Sequence, residues 1–335
     1  LVNPKEPDAL KGIHSITFVG LMLSAIRNPE GMDKFYLRYK EYFERDGLVK
    51  LHFKGKWVCM ISDPAIAKDV CLRSDAFPKL MLDEIMAGSV AERHFGVNVV
   101  HSNGDVWKRH RRACNPAFKA LPVHLFVEKG LEMMEVLEKV DNKPIEVNDI
   151  MQRLTLDVLG KASFNFDFNN LQDPHNVYVT AYNEAQNVFR NPFYSIFPVE
   201  RIPILRRLVF SKVDRLSNLF EDIIKEKRKS LAAGQSNGDL LEHMIKACED
   251  PDNPTLSDVE LRHNLAIFMV AGHDTTATAL SSLLYLLAVH KDVQRKAREE
   301  VLKILGDDLT PSAEHHASLK YLNMIIRENL RLYPP

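Results

Sequence analysis

One segment limits the possible folds more than any other. Ser257 and Glu260 have the S-x-x-E spacing of a capping box, and they open a helical pattern that runs from Leu256 to Val289. The centre of this stretch, Leu265 to Gly272, reads LAIFMVAG and is apolar on every side. A helix with no polar face has to be surrounded, so this one is expected to pass through the middle of a protein. It then continues as Ala271-Gly272-His273-Asp274-Thr275-Thr276. Glycine costs about 1 kcal/mol relative to alanine in a helix interior. Asp and Thr side chains also compete for the backbone's hydrogen bonds. A buried helix carrying an acid and two hydroxyls needs partners for them, or a use.

The rest of the chain supplies enough helix to surround it. Helical patterns are expected at about 105–120, 125–140, 148–162, 176–190, 205–233, 240–248, 291–305 and 319–332, with a shorter one at 32–45. The β signal lies in the first third. Leu48 to Ile61 splits around Gly55 into a hairpin, and Asp63-Pro64 starts a short helix through Leu72. Residues 80–100 lack periodicity and read as a long loop. The fold class is therefore mainly α with a small N-terminal β region. No break is long enough to be a linker, so residues 1–335 read as a single domain.

Composition excludes several functions. Lys plus Arg is 44 and Asp plus Glu is 45, so no strong field draws in nucleic acid. The 14 glycines form neither G-x-G-x-x-G nor a phosphate-binding loop. The four cysteines, Cys59, Cys71, Cys114 and Cys248, make no C-x-x-C pair and suggest a reducing compartment. The apolar stretch Ile13 to Ile26 contains His14 and two serines and is shorter than the roughly 20 residues of a membrane span. It reads as a surface-packing or membrane-resting segment.

Two further patterns stand out. Trp107 and Arg111 are four apart in WKRHRRACNPAF and share a helical face, while Lys108, Arg109 and Arg112 read as a solvated basic face or a patch for an acidic partner. Glu328 and Arg331 are three apart in RENLRLYPP, a helical ion-pair spacing. Each pattern alone is weak. His273-Asp274, with 13 histidines in a helical chain, also admits a metal-dependent phosphohydrolase. A non-catalytic helical binding module is a third reading.

Taken together and in this order, the three motifs resemble the cytochrome P450 family of haem-thiolate monooxygenases. The central string matches [AG]-G-x-[DE]-T-[TS]. Thr155 to Phe168 and His290 to Val301 look like helices of its eukaryotic microsomal members, although Lys291 stands where proline is usual. The resemblance implies haem as cofactor, gripped at a propionate by Trp107 and Arg111. It implies that Ala271 and Gly272 border the dioxygen site, that Gly272 lets the helix deform there, and that Asp274 and Thr275 relay protons. It makes Glu328 and Arg331 a buried structural ion pair. It further implies electrons from NADPH through a flavoprotein reductase, a lipophilic substrate beneath the aromatics Phe189, Phe193, Tyr194 and Phe197, and the cytoplasmic face of the endoplasmic reticulum membrane. The family's iron ligand is a cysteine in F-x-x-G-x-R-x-C-x-G, several dozen residues past E-x-x-R, and none of the four cysteines has that context. Residues 1–335 are thus expected to lack the N-terminal anchor and the haem-ligand region, and to be inactive alone.

Overall fold

The computed structural model describes residues 10–16, 31–53, 56–140, 143–190, 202–252, 255–306 and 310–335. Phe193, Tyr194 and Phe197, and most of the apolar stretch at 13–26, lie outside the described residues. The chain forms two compact units, residues 1–80 and 81–335.

The first unit holds a three-stranded sheet in the order β1-β2-β3: Ser15–Ile16, Leu48–Phe53 and Lys56–Ile61. β1 runs parallel to β2, and β2 pairs antiparallel with β3 as the expected hairpin, with Leu48 opposite Ile61. Two helices, α1 (Gly31–Arg38) and α2 (Lys40–Asp46), precede β2. Ile16, Phe35, Phe43, Val49 and Leu51 form the core. Helix α3 (Pro64–Leu72) begins where Asp63 accepts hydrogen bonds from the backbone N–H groups of Ala65 and Ile66, at 2.7 and 2.9 Å. This satisfies two of the donors that a helix start leaves open.

The second unit is helical. Its helices are α4 (Leu82–Met86), α5 (Val90–Phe95), α6 (Gly104–Cys114), α7 (Val123–Glu138), α8 (Val147–Leu159), α9 (Val177–Arg190), α10 (Pro203–Ala232), α11 (Leu240–Glu249), α12 (Asp258–Val289), α13 (Lys291–Leu305), α14 (Ala313–Ser318) and α15 (Lys320–Leu332). One core joins α8 to α12 through residues such as Leu156, Phe164, Phe220, Leu241, Leu265 and Met269. The expected loop at 80–100 instead contains α4 and α5. Neither reaches two full turns, so neither could show periodicity. Ser89, whose hydroxyl accepts from the Glu92 N–H at 3.1 Å, was the local signal for α5.

Candidate active site

The capping box that opens α12 is present. The Ser257 hydroxyl accepts from the Glu260 N–H at 3.3 Å, and the Glu260 carboxylate accepts from the Ser257 N–H at 2.9 Å. Leu261, Asn264, Leu265, Ala266 and Met269 are buried, as an all-apolar helix centre requires. At Ala271 the helix comes to the surface. Ala271, Thr275, Thr276 and Thr278 are exposed, Gly272 and Asp274 are half-buried, and His273 is buried. The hydroxyls are accommodated by bonding backward: Thr275 Oγ donates to the Ala271 carbonyl at 2.7 Å, and Thr278 Oγ to that of Asp274 at 2.9 Å. That bond stacks Thr275 directly over Ala271 on one face. Asp274 Oδ1 lies 3.2 Å from His273 Nδ1, and the His273 ring stands edge-on to Tyr182.

Gly272 has a packing role that is visible in the structure. A Cβ at this position would lie 2.8 Å from Leu159 Cδ1, so the missing side chain lets α8 approach α12 closely. Beside this contact lies a cavity of about 510 Å³. Phe118, Leu121 and Phe126 wall one side, Leu154 and Val158 of α8 another, and Gly272, Thr276 and Leu280 of α12 a third. The lining is almost wholly carbon, apart from the hydroxyls of Thr155, Ser163 and Thr276. Of the residues nominated from the sequence, Gly272 lines the cavity. Ala271 and Thr275 occupy the neighbouring stripe of α12. Thr276, part of the motif but given no role there, and Thr155, which no motif marked, also line the cavity.

Helix α6 is two-faced. His110, Ala113 and Cys114 are buried, whereas Trp107 is 40% exposed and Arg111 is exposed. Arg109 is not a solvated charge, contrary to expectation. Its guanidinium forks onto the Glu260 carboxylate, with Nη1 at 3.0 Å from Oε2 and Nη2 on Oε1, and Nη1 also donates to the Thr255 carbonyl at 2.7 Å. Helical spacing puts residue 109 about 200° around from 107, on the opposite side from the Trp107–Arg111 pair. That angle was the available signal. Its partner lies 151 residues later, where no helical wheel could show it.

Glu328 and Arg331 form a two-pronged pair at 2.6 and 2.8 Å. Within residues 1–335 the two side chains are 54% and 67% exposed. The buried residue of this motif is Asn329, whose amide donates to the Ala279 carbonyl and whose oxygen accepts from Ser282 Oγ, both at 3.0 Å, tying α15 to α12. All four cysteines are free; burial pushes the thiols of Cys114 and Cys248 up to about 12. Among the described residues no group of three or more His, Cys, Asp or Glu side chains could hold a metal ion, so His273-Asp274 has no ligand set around it.

The family description for cytochrome P450 matches residues 10–335. The chain belongs to the cytochrome P450 family. Related proteins include the Arabidopsis thaliana protein LUTEIN DEFICIENT 5, chloroplastic, 28% identical over 99% of this P450 and 55% of the relative. Human cytochrome P450 4F8 is 31% identical over 81% of the chain and 56% of the relative. The Bacillus subtilis bifunctional cytochrome P450/NADPH–P450 reductase 2 is 30% identical over 68% of the chain and 22% of its own length. The chain thus spans about half the length of the plant and human relatives. Among solved structures, the haem domain of cytochrome P450DA superposes with a TM-score of 0.69 at 23% identity, covering 91% of this chain and 67% of that one. A mutant of the same domain gives 0.72 at 25%. The helical fold with its small sheet is thereby that of a P450 haem domain. Family membership implies haem as the cofactor, and the chain's own residues suit it. A carbon-lined cavity suits a flat apolar ring, and α6 exposes an indole N–H and a guanidinium of the kind that bind carboxylate arms, although neither Trp107 nor Arg111 lines that cavity.

Proposed function

We propose that the whole protein is a monooxygenase that inserts one oxygen atom of dioxygen into a lipophilic organic substrate, with electrons from NADPH delivered by a flavoprotein reductase. The observation that carries this reading is the string Ala271 to Thr276, lying beside a carbon-lined cavity on the central helix of a P450 fold. Haem supplies the one-electron and dioxygen chemistry when bound. Trp107 Nε1 and the Arg111 guanidinium hold its carboxylates. Gly272 sets how closely the cavity wall approaches. Asp274 and Thr275 hold and pass protons at the carboxylate and at Oγ, while the apolar walls exclude water. Residues 1–335 belong to one P450 domain in this reading, because the family match runs continuously across both compact units.

The thiolate that favours O–O cleavage is not one of the four cysteines in this reading. None of the four stands in the F-x-x-G-x-R-x-C-x-G context of the family's ligand. The resemblance of Thr155 to Phe168 to eukaryotic microsomal members supports the endoplasmic reticulum membrane, and the relative named a bifunctional P450/NADPH–P450 reductase supports a reductase partner. No described helix is itself long and apolar enough to cross a membrane.

The test is spectroscopic and kinetic. The whole protein, reduced under carbon monoxide, should show the red-shifted band of thiolate-ligated haem. Thr275→Ala should keep that band but divert reducing equivalents from product to peroxide. Unchanged product per NADPH would remove Thr275 from proton delivery. Residues 1–335 alone, given haem, should show no such band, and its appearance would identify one of the four cysteines as the ligand.

A further inference from the structure

The proposed reading gives Trp107 and Arg111 an anion to hold, but it does not say what holds them in place. Both stand exposed on α6, where long side chains on a mobile helix would make a poor receptor. Elsewhere on its circumference α6 carries a polar cluster turned into the protein. His110 and Asn264 are each 0% exposed. The Asn264 amide nitrogen lies 2.8 Å from His110 Nδ1 and 2.8 Å from the Glu260 carbonyl, and its oxygen accepts the Val99 N–H at 2.9 Å. Since that nitrogen can only donate, His110 Nδ1 must accept, which leaves the proton on Nε2. Nε2 points at Glu260 Oε1, 3.4 Å away. The same carboxylate takes the Arg109 fork and also caps α12. Arg109, His110, Glu260 and Asn264 therefore form one connected network in which each polar group has a partner and a defined tautomer.

We propose that this network is a positioning device: Asn264 and Glu260 fix helix α6 in rotation and height against the start of α12, and so pre-organise Trp107 and Arg111 for the anionic arms of the cofactor. Arg109 and His110 sit between the two donors in sequence, so α6 cannot turn or slide without breaking the fork to Glu260 or leaving the His110–Asn264 pair unsatisfied inside the protein. A receptor held this way loses less freedom on binding, and affinity rises accordingly. The first turns of α12 thereby act on the cofactor without touching it, through Arg111.

This inference rests on the reading that Arg111 holds the cofactor, and a double-mutant cycle separates the two. The readout is the rate at which haem leaves the whole haem-loaded protein for excess apomyoglobin. Asn264→Leu and Arg111→Ala should each speed the loss about tenfold. Because Asn264 acts through Arg111, the double variant should be no faster than Arg111→Ala alone. Phe220→Ala, a core truncation on α10, should lower the melting temperature yet leave haem loss within about twofold. If Asn264→Leu does not fold, Glu260→Gln replaces it in the cycle; it keeps a capping oxygen but loses the charge that holds Arg109, and a threefold or larger effect that vanishes in the Arg111→Ala background is expected. Multiplying effects in the double variant, or no effect of either substitution at α12, would overturn the positioning role while leaving the Arg111 assignment intact. Unchanged haem loss in Arg111→Ala would overturn the assignment and the inference together.

Discussion

The two halves of α12 are the same helix under opposite rules. From Leu261 to Met269 it is buried on nearly every side, and its start is locked by Ser257, Glu260, Arg109 and Asn264. From Ala271 onward it exposes a stripe of small and hydroxyl residues beside a carbon-lined cavity. The first half is mostly apolar, and its start is tied by a polar network of Arg109, His110, Glu260 and Asn264. The second half has glycine, Asp and Thr, and the hydroxyls of Thr275 and Thr278 are satisfied by bonding back to the carbonyls of Ala271 and Asp274. The contrast separates a packed, locked half of the helix from a half that carries glycine, Asp and Thr beside a cavity.

Truncation should expose this division most strongly. Leu265→Ala removes a fully buried side chain and should cost about 2–5 kcal/mol in urea unfolding. Tyr285→Ala, on the exposed half at 61% exposure, should change the midpoint little. Comparable losses at the two sites would mean that the two halves are equally committed to the core.

The next effect concerns the lock itself. Burial pushes the Glu260 carboxyl up, but hydrogen bonds from Arg109 and Ser257 outweigh this and hold it at about 2. Its ordinary value is 4.5, so the stability it contributes is complete above pH 4.5 and lost as pH falls toward 2. Glu260→Gln should lower stability at pH 7 by about 1.5–3 kcal/mol, the range for a hydrogen bond to a charged group. The variant should also flatten the acid limb of the stability curve below pH 4.5. An acid limb identical to that of the parent would show that other carboxylates govern it.

How much of this was visible beforehand depended on how local the cause was. The all-apolar run, the Ser257–Glu260 box, the hairpin around Gly55 and the Asp63-Pro64 helix start are written in neighbouring residues, and their placement followed. The short helices at 82–86 and 90–95 were not visible, because fewer than two turns carry no periodic signal. Nor was the Arg109–Glu260 fork, since its two ends are brought together only by tertiary packing. Thr276 was in plain view within the motif, yet only the contact between α8 and α12 placed it on the cavity wall. The burial implied for Glu328 and Arg331 came from family resemblance and not from neighbouring residues.

Gly272 marks the joint between the halves, and a smaller effect should register there. Alanine at this position gains about 1 kcal/mol of helix propensity, but its Cβ meets Leu159 Cδ1 at 2.8 Å. Overpacking of this kind costs about 1–3 kcal/mol, and Leu159 can yield part of it because the clash is with the end of a flexible side chain. Gly272→Ala should therefore be neutral to about 1 kcal/mol destabilising. In a Leu159→Ala background, with the obstacle gone, the same substitution should stabilise by about 1 kcal/mol. No change of sign between the two backgrounds would mean that Leu159 is not what requires glycine here.

The smallest effect is expected at the second charged pair. Glu328 and Arg331 match Arg109 and Glu260 in chemistry, a carboxylate gripped by a guanidinium fork, but differ in setting. Arg331 draws the Glu328 carboxyl below its ordinary value through a hydrogen bond, yet both groups are surrounded by water and open to screening by salt. The pair lies one helical turn apart on α15, so it joins no distant segments, whereas Arg109–Glu260 bridges 151 residues. Glu328→Gln should shift the unfolding midpoint slightly at low ionic strength, and the shift should disappear in molar salt. Glu260→Gln should keep more of its effect in the same salt, because Glu260 is 15% exposed and Arg109 34%, against 54% and 67% for the other pair. A Glu328→Gln loss that persists in molar salt and equals that of Glu260→Gln would show that charge pairing alone, not the setting of the pair, determines what each contributes.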